Sequence, residues 1–290
     1  MRSYLPEFPV AAPETLEGVL AALAARPGQV TPLAGGTDLM VLLNAGQLSP
    51  TSFVSLHRVD ELRGLEWGAD RLTMGALATY ADARRDPAVR ARLPLLEAAS
   101  AELGALQIQN CGTWAGNVAN ASPAADGVPA LIAYDGEVEL ASVRGRRWVA
   151  LAGYYEGYKK TVRAPDELIT RLRVHVPARG AHHYFRKVGT RRLQAISKVV
   201  ACGVLECGPD DLVTRVRFVL GSVAPVTLRA LRVEAAVAGR PLTGATIEEA
   251  CHAVARDISP IDDVRSTRAY RLTIATRLVR EFLSRGAAGG

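Results

Sequence analysis

Two glycine-rich segments of the chain carry the residue types best suited to holding a charged ligand. The first glycine segment, residues 34–38, reads AGGTD, and the second glycine segment, residues 112–117, reads GTWAGN. Glycines let the backbone approach a ligand closely and turn its N–H groups toward it, while a threonine hydroxyl and a helix start add donors for phosphate oxygens. Two such segments in one chain suit a ligand that has two phosphate groups.

Each glycine segment also has a purely structural explanation. The first can be a strand-to-helix turn in which the Asp38 side chain caps the helix. After the second, residues 120–126 include a Ser-Pro pair typical of a helix start, and Asp126 could cap that helix or accept a hydrogen bond from a ribose hydroxyl. Trp114 could form a wall of the ligand site, although a place in the core is the more common role.

Other catalytic and metal-binding patterns are missing from the sequence. It contains no GxGxxG, GxxxxGK[ST], GxSxG or HExxH motif, which argues against a Rossmann dehydrogenase, a P-loop NTPase, an α/β-hydrolase and a zincin. The four cysteines include no CxxC pair and match no usual iron–sulfur spacing. The adjacency of His182 and His183 is too little to define a metal site. We therefore predict no catalytic and no metal-ligating residue.

The composition describes a globular protein. The 290 residues are 49% hydrophobic and carry a formal charge of +6, which is enough apolar material for a core and permits an anionic partner. No segment has the pattern of a membrane span or of a signal peptide, so we expect a cytoplasmic protein without membrane insertion. A basic, aromatic-rich stretch over residues 144–163 could bind nucleic acid, although an exposed hairpin or a subunit contact is more common.

Apolar spacing predicts the elements that position the first glycine segment. Residues 16–23 have the periodicity of an amphipathic helix, and residues 30–33 have the pattern of a short buried strand. A helix over 38–45 and a strand over 52–56 complete an α/β unit. The first glycine segment should therefore connect a strand to a helix.

The rest of the chain changes character near residue 178. Before that point we predict further helices over 93–106 and 124–134 and strands over 137–141 and 167–176. A linker over 177–180 is followed by strands of an antiparallel sheet over 199–205 and 214–220 and by helices over 228–238, 246–256 and 266–284. The last five residues, GAAGG, have the composition of a frayed tail.

Four segments, in order, resemble one known family. They are PLAGGTDL (32–39), QIQNCGTWAGNVANASPAAD (107–126), DELIT (166–170) and FRKVGTRRLQAISKV (185–199). All four are similar to the FAD-binding medium subunit of molybdenum hydroxylases, a family that includes carbon monoxide dehydrogenase, xanthine dehydrogenase and nicotinate-type dehydrogenases. The resemblance covers nearly the whole chain.

The resemblance implies an α+β fold in which two α/β subdomains clasp FAD in a PCMH-type FAD-binding arrangement. An α+β C-terminal domain with a small antiparallel sheet and helices would follow. The implied boundaries are residues 1–178 for the FAD-binding domain, with subdomains at about 1–56 and 57–178, residues 179–286 for the C-terminal domain, and 287–290 for a tail.

The resemblance also implies a non-covalent FAD site. The two glycine segments would hold the pyrophosphate, Asn120 and Asp126 would lie near the ribose or the adjacent linker, Leu168 and Ile169 would lie against the ring systems, and Lys187 would approach the flavin. The full set of implied cofactor-binding residues is Leu33, Ala34, Gly35, Gly36, Thr37, Asp38, Gly112, Thr113, Trp114, Ala115, Gly116, Asn117, Asn120, Asp126, Leu168, Ile169 and Lys187.

The sequence departs from the family pattern at two places. The second glycine segment usually reads TIGGN, whereas here it reads TWAGN, so Ala115 adds a methyl group where a backbone N–H would meet the ligand. Some members carry an acid after the arginine pair that corresponds to Arg191 and Arg192, whereas this chain has Gln194 and Ala195. The electron acceptor that those relatives use therefore cannot be assumed for this chain.

By this resemblance the chain is an electron-transfer flavoprotein subunit of an oxidoreductase. It would take electrons from the [2Fe–2S] clusters of a small partner subunit, work beside a large molybdopterin subunit in a dimer of heterotrimers, and bind no nucleic acid. Because the flavin supplies the redox chemistry, no general acid or base is required. The alternative from another class is a non-redox module that binds a nucleotide or RNA through the same loops, and a flavin spectrum would distinguish the two.

Overall fold

The computed structural model describes residues 8–48, 52–191 and 194–288. The first of its units is a parallel sheet in the order β1-β3-β2, with β1 at Val10–Ala11, β2 at Val30–Leu33 and β3 at Ser52–Ser55. Helices α1 (Leu16–Ala25) and α2 (Leu39–Asn44) connect the strands. Parallel neighbours need such crossovers, so the first glycine segment lies at the carboxyl end of β2.

The elements predicted for this unit are confirmed, but the predicted cap is wrong. The buried face of α1 consists of the leucine and valine residues that suggested the helix, and the Thr15 hydroxyl accepts from Gly18 N. Asp38 stands before α2 with helical backbone angles and makes no capping hydrogen bond through its side chain. Gly36 has a φ of +69°, a conformation that side chains other than glycine rarely adopt.

The second unit contains an antiparallel sheet in the order β4-β5-β10-β6-β7. Its strands are β4 (Leu65–Trp67), β5 (Arg71–Gly75), β6 (Glu137–Ser142), β7 (Gly145–Ala150) and β10 (Leu168–His175). The central strand β10 places Leu172 between Met74 and Val138, all fully buried. A hairpin of β8 (Tyr155–Gly157) and β9 (Lys160–Thr161) lies between β7 and β10 in the chain.

A run of short helices separates β5 from β6. These are α3 (Tyr80–Arg85), α4 (Pro87–Arg92), α5 (Pro94–Glu102), α6 (Leu106–Cys111), α7 (Trp114–Ala119) and α8 (Val128–Ala133). The continuous helix predicted over 93–106 is wrong, because Leu103 is extended and Gly104 has a φ of +59°. The helix predicted over 124–134 begins only at Val128, with Pro129 in its first turn.

The third unit is an antiparallel sheet covered by helices. Its strands, in the order β11-β12-β13-β14, are His182–Val188, Val199–Cys207, Val213–Gly221 and Leu228–Arg229. Helices α9 (Leu231–Val237), α10 (Gly244–Ala253) and α11 (Arg268–Ala288) follow. The predicted frayed tail is wrong at Ala287 and Ala288, which belong to α11, while residues 289–290 lie outside the described part.

The core consists of two buried apolar clusters, one of which joins the three units. One spans the first two units and also takes in Cys202, Val204 and Val219 from β12 and β13. The other lies between the β11–β14 sheet and the helices that cover it. Because the first cluster contains residues of both, the C-terminal unit is packed against the unit that carries the second glycine segment.

No helix in the described ranges is long and apolar enough to cross a membrane.

A tyrosine–histidine contact marks the junction between these units. The Tyr134 phenol, just after α8, accepts a hydrogen bond from Leu95 N at 3.0 Å and lies 3.1 Å from His183 Nδ1 on β11. Burial lowers the pKa of His183 to about 4, with the neighbouring His182 adding to the shift. The junction is therefore built around a neutral imidazole.

This contact should make stability depend on pH. An unfolded histidine has a pKa of about 6.5, so the unfolded chain takes up the proton first as the pH falls, and the stabilisation present above about pH 6.5 is lost as the pH approaches 4. We expect the free energy of unfolding in urea to fall between about pH 6.5 and 5, and to fall less in His183→Gln, with His182 retained in both proteins. Parallel curves for the two proteins would contradict this assignment.

Candidate functional site

A cleft of about 570 Å³ lies between the first two units, where both glycine segments meet. This volume falls in the range of small-molecule sites. Most of the residues predicted from the sequence line the cleft, namely Ala34, Gly35, Gly36, Thr37, Asp38, Gly112, Thr113, Ala115, Gly116, Asn117, Asn120, Leu168 and Ile169. Their contact with a cofactor stays a prediction.

The two glycine segments touch each other through their backbones. A Cβ atom built on Gly35 would lie 1.8 Å from the Cys111 carbonyl oxygen and 3.2 Å from Gly112 N. A Cβ atom on Gly112 would lie 3.4 Å from Thr37 Oγ1. No side chain fits at Gly35, so glycine there is what allows the segments to share one cleft.

The second glycine segment leads into α7 through a capped turn. The Thr113 hydroxyl accepts a hydrogen bond from Gly116 N at 2.9 Å, so this threonine caps the helix. Its proton remains able to donate to a ligand. Ala115, where the family usually has glycine, is buried and is one of the residues that line the cleft.

Asn117 lines the cleft but has a side-chain oxygen without a partner. Its Oδ1 is buried and has no hydrogen-bond partner among the described residues, and a Cβ atom on Gly127 would lie 2.9 Å from it. A buried polar atom without a partner costs about 1–3 kcal/mol. Because this oxygen is enclosed beside Gly127, it is not counted among the groups that face a ligand.

Ion pairs hold the residues before β10 in place at the cleft wall. The Glu167 carboxylate receives hydrogen bonds from Arg147 and, at 2.7 Å, from Ala164 N, and the Arg147 guanidinium lowers its pKa. Asp166 pairs with Arg144. These bonds fix the backbone that brings Leu168 and Ile169 to the cleft, where both are buried.

A lysine at the turn of the β8–β9 hairpin forms hydrogen bonds with the residue that ends α7. Lys159 Nζ donates to the backbone oxygen of Asn120 at 2.8 Å and also to its side chain. The Tyr155 phenol donates to the carbonyl oxygen of Val118 at 3.2 Å. Lys159 and Arg163 both line the cleft, so they add positive charge to it. The sequence indicated these residues only as part of a basic stretch.

Four of the predicted residues are not part of the cleft lining. Leu33 is the last residue of β2 and pairs with Ser55. Trp114 is fully buried, with its ring 4.9 Å from that of Tyr80, so the structural explanation holds for it. Asp126 and Lys187 are the other two.

Asp126 and Lys187 contact each other at the junction with the C-terminal unit. Lys187 Nζ lies 2.7 Å from Asp126 Oδ2 and donates to the Glu102 carbonyl at 3.1 Å, while the Ser197 hydroxyl donates to the same carboxylate. Burial raises the pKa of Asp126, and the lysine and serine oppose that shift. Asp126 does not cap α8, because no side chain caps that helix. The structure shows a buried ion pair where the sequence suggested two separate ligand contacts.

Most charged side chains of the basic stretch, residues 144–163, form ion pairs or hydrogen bonds within the chain. Besides the pairs already described, Arg146 lies 3.9 Å from Glu139 Oε2 and Arg163 donates to the Glu167 carbonyl at 2.7 Å. The acids of these pairs compensate part of the positive charge, although the arginine side chains themselves are about half exposed.

Further residues line the cleft although they were not predicted as ligand contacts. They are Thr31, Pro32, Leu39, Leu42, Leu56, Ala76, Tyr80, Leu103, Ile108, Ala119, Lys159, Arg163 and Glu167. Five of them, Pro32, Leu39, Ile108, Ala119 and Glu167, lie inside the family-like segments, which was the signal that could have found them. The others reach the cleft only through the packing of their elements.

Comparisons with known proteins agree with this arrangement. Residues 6–179 match the family described as FAD binding domain in molybdopterin dehydrogenase, and residues 183–285 match the CO dehydrogenase flavoprotein C-terminal domain. The chain is 29% identical over 285 residues to the xanthine dehydrogenase FAD-binding subunit of Escherichia coli O157:H7, covering 95% of each chain. It is 27% identical over 279 residues to the carbon monoxide dehydrogenase medium chain of Hydrogenophaga pseudoflava, covering 96% of each.

The fold agrees as well. A solved structure of carbon monoxide dehydrogenase from Hydrogenophaga pseudoflava contains a chain that superposes with a TM-score of 0.94 at 27% identity, covering 99% of both chains. The predicted α+β fold and the predicted family are thereby confirmed. The cleft, with its paired glycine segments and a Gly35 position that admits no side chain, fits the cofactor that the family binds. The chain belongs to the family of FAD-binding domains in molybdopterin dehydrogenases.

Proposed function

We propose that this chain is the FAD-carrying electron-transfer subunit of a molybdopterin-dependent hydroxylase or dehydrogenase. The observation that supports this most directly is the backbone contact between Gly35 and Cys111, which brings two glycine segments to one cleft. A dinucleotide has two adjacent phosphates, and paired loops of this kind present N–H groups to both.

The described residues suggest how the cofactor would be held. The glycine segments and the Thr37 hydroxyl would contact the pyrophosphate, with Lys159 and Arg163 balancing its charge. Leu168 and Ile169 would supply an apolar wall for the ring systems. When bound, FAD would provide the means to collect single electrons and release them in pairs to an external acceptor. The work of the chain is to bind and orient this group.

The electrons would come from another subunit. Cys111 and Cys207 are exposed and Cys202 and Cys251 are buried, all as free thiols, and the described residues hold no cluster of three potential metal ligands. Relatives are named as chains of xanthine and carbon monoxide dehydrogenases. We therefore propose a small [2Fe–2S] subunit and a large molybdopterin subunit as partners, assembled as a dimer of heterotrimers in the cytoplasm. No observation favours the RNA-binding alternative.

The loop contact can be tested with Gly35→Ala. The added methyl group would collide with the Cys111 carbonyl, and overpacking of this kind costs about 1–3 kcal/mol, so FAD affinity should fall about ten- to a hundredfold. The measurement is flavin content after purification and titration of the apoprotein with FAD. Gly244→Ala is the matched control, because nothing lies within 4 Å of its Cβ position. Equal flavin content in Gly35→Ala and the parent chain would refute the assigned loops.

The electron-relay role predicts a difference between the isolated chain and the complex. Alone, the chain should bind FAD that acid precipitation releases intact, yet its flavin absorbance should not bleach under anaerobic conditions with xanthine, carbon monoxide or nicotinate. Together with both partner subunits, the substrate of the complex should bleach it. Bleaching of the isolated chain by an organic substrate would contradict the proposal.

A further inference from the structure

Tyr80 is held rigidly at the floor of the cleft. It is the first residue of α3, where Thr79 and Asp82 form a capping box with bonds of 3.1 and 2.9 Å. Its ring packs against Trp114, and its side chain lines the cleft although the residue is only 3% exposed. Its position is therefore set by the fold and requires no ligand.

The ring of Tyr80 lies where the two glycine segments meet. Its Cε2 atom is 3.1 Å from a Cβ built on Gly112, and Thr37 Oγ1 is 3.4 Å from the same point. Tyr80 N donates to the Gly112 carbonyl at 3.2 Å. The phenol is next to Cε2 on the ring, so it shares the neighbourhood of both segments.

The Tyr80 phenol makes no hydrogen bond to another of the described residues. Its oxygen is also not one of the fully enclosed polar atoms, so it is open to the cleft. Burial raises its pKa well above the usual value, and the charge of Asp126 adds to the shift, so the group remains an O–H donor at physiological pH. A donor that opens to the cleft can give its hydrogen bond to a ligand oxygen there, and no other described residue competes for it.

We propose that the Tyr80 phenol donates a hydrogen bond to a diphosphate oxygen of the bound dinucleotide. The proposal rests on the proposed FAD site and adds a binding residue that lies outside both glycine segments. The diphosphate is favoured over the flavin ring because the neighbours of the Tyr80 ring edge, Gly112 and Thr37, belong to the two phosphate-binding segments.

The test compares Tyr80→Phe with the parent chain in titrations with FAD and with ADP, which has the diphosphate but no flavin. A hydrogen bond to a charged group predicts that affinity falls about tenfold or more for both ligands, with the flavin absorption spectrum unchanged. Tyr184→Phe is the matched control for affinity, because Tyr184 is also 3% exposed but lies on β11, donates to Glu281 and does not line the cleft.

A second measurement separates ligand binding from a structural role. Because the phenol makes no hydrogen bond to another of the described residues, the apo form of Tyr80→Phe should melt at the same temperature as the apo parent or higher. Unchanged affinity for FAD and ADP, or a lower melting temperature of the apo variant, would overturn the proposal. A loss confined to FAD, with a shifted flavin spectrum, would overturn the diphosphate assignment. A parent chain that binds neither ligand would overturn the FAD site itself.

Discussion

The contact of Gly35 with the Cys111 carbonyl is the constraint on which the rest of the site depends. It joins a loop of the parallel sheet to the end of α6, two parts of the chain with no shared strand. Two backbones can approach this closely only where a side chain is missing. The surrounding features, from the break at Gly104 to the cap at Thr113, act to hold α6 and α7 against that point. The cleft is a consequence of this approach.

Charge is distributed around the cleft in two distinct ways. At the wall before β10, exposed arginines pair with the buried acids Asp166 and Glu167, so the pairs fix backbone geometry. At the junction, Lys187 and Asp126 are withdrawn from solvent together. A pair of this second kind contributes little net stability, but removal of one partner leaves an uncompensated buried charge. The junction therefore tolerates replacement of both residues better than of one.

The resemblance of four segments was sufficient for the family, and local apolar spacing was sufficient for the longer elements such as α1, β10, β12 and α11, but short elements such as β4, β5 and α3 were not predicted. The sequence could not show that Thr113 caps α7 while Asp38 caps nothing, since both residue types favour that position. Nor could it reveal Tyr80 or Lys159, which reach the cleft only when α3 and the β8–β9 hairpin have packed. The resemblance implied two separate ligand contacts for Asp126 and Lys187. Their ion pair could not be predicted, because the two residues are far apart in the sequence.

The central position of β10 affects the order in which the strands of the sheet can pair. This strand lies between β5 and β6, although the helices α3 to α8 and the hairpins separate it from β5 in the chain. Long-range pairing of this kind slows folding, because loop closure precedes the contacts that stabilise it. During synthesis the sheet stays open at its centre until β10 leaves the ribosome. Leu168 and Ile169 are at the start of that strand, so this wall of the cleft cannot form before β10 has been synthesised.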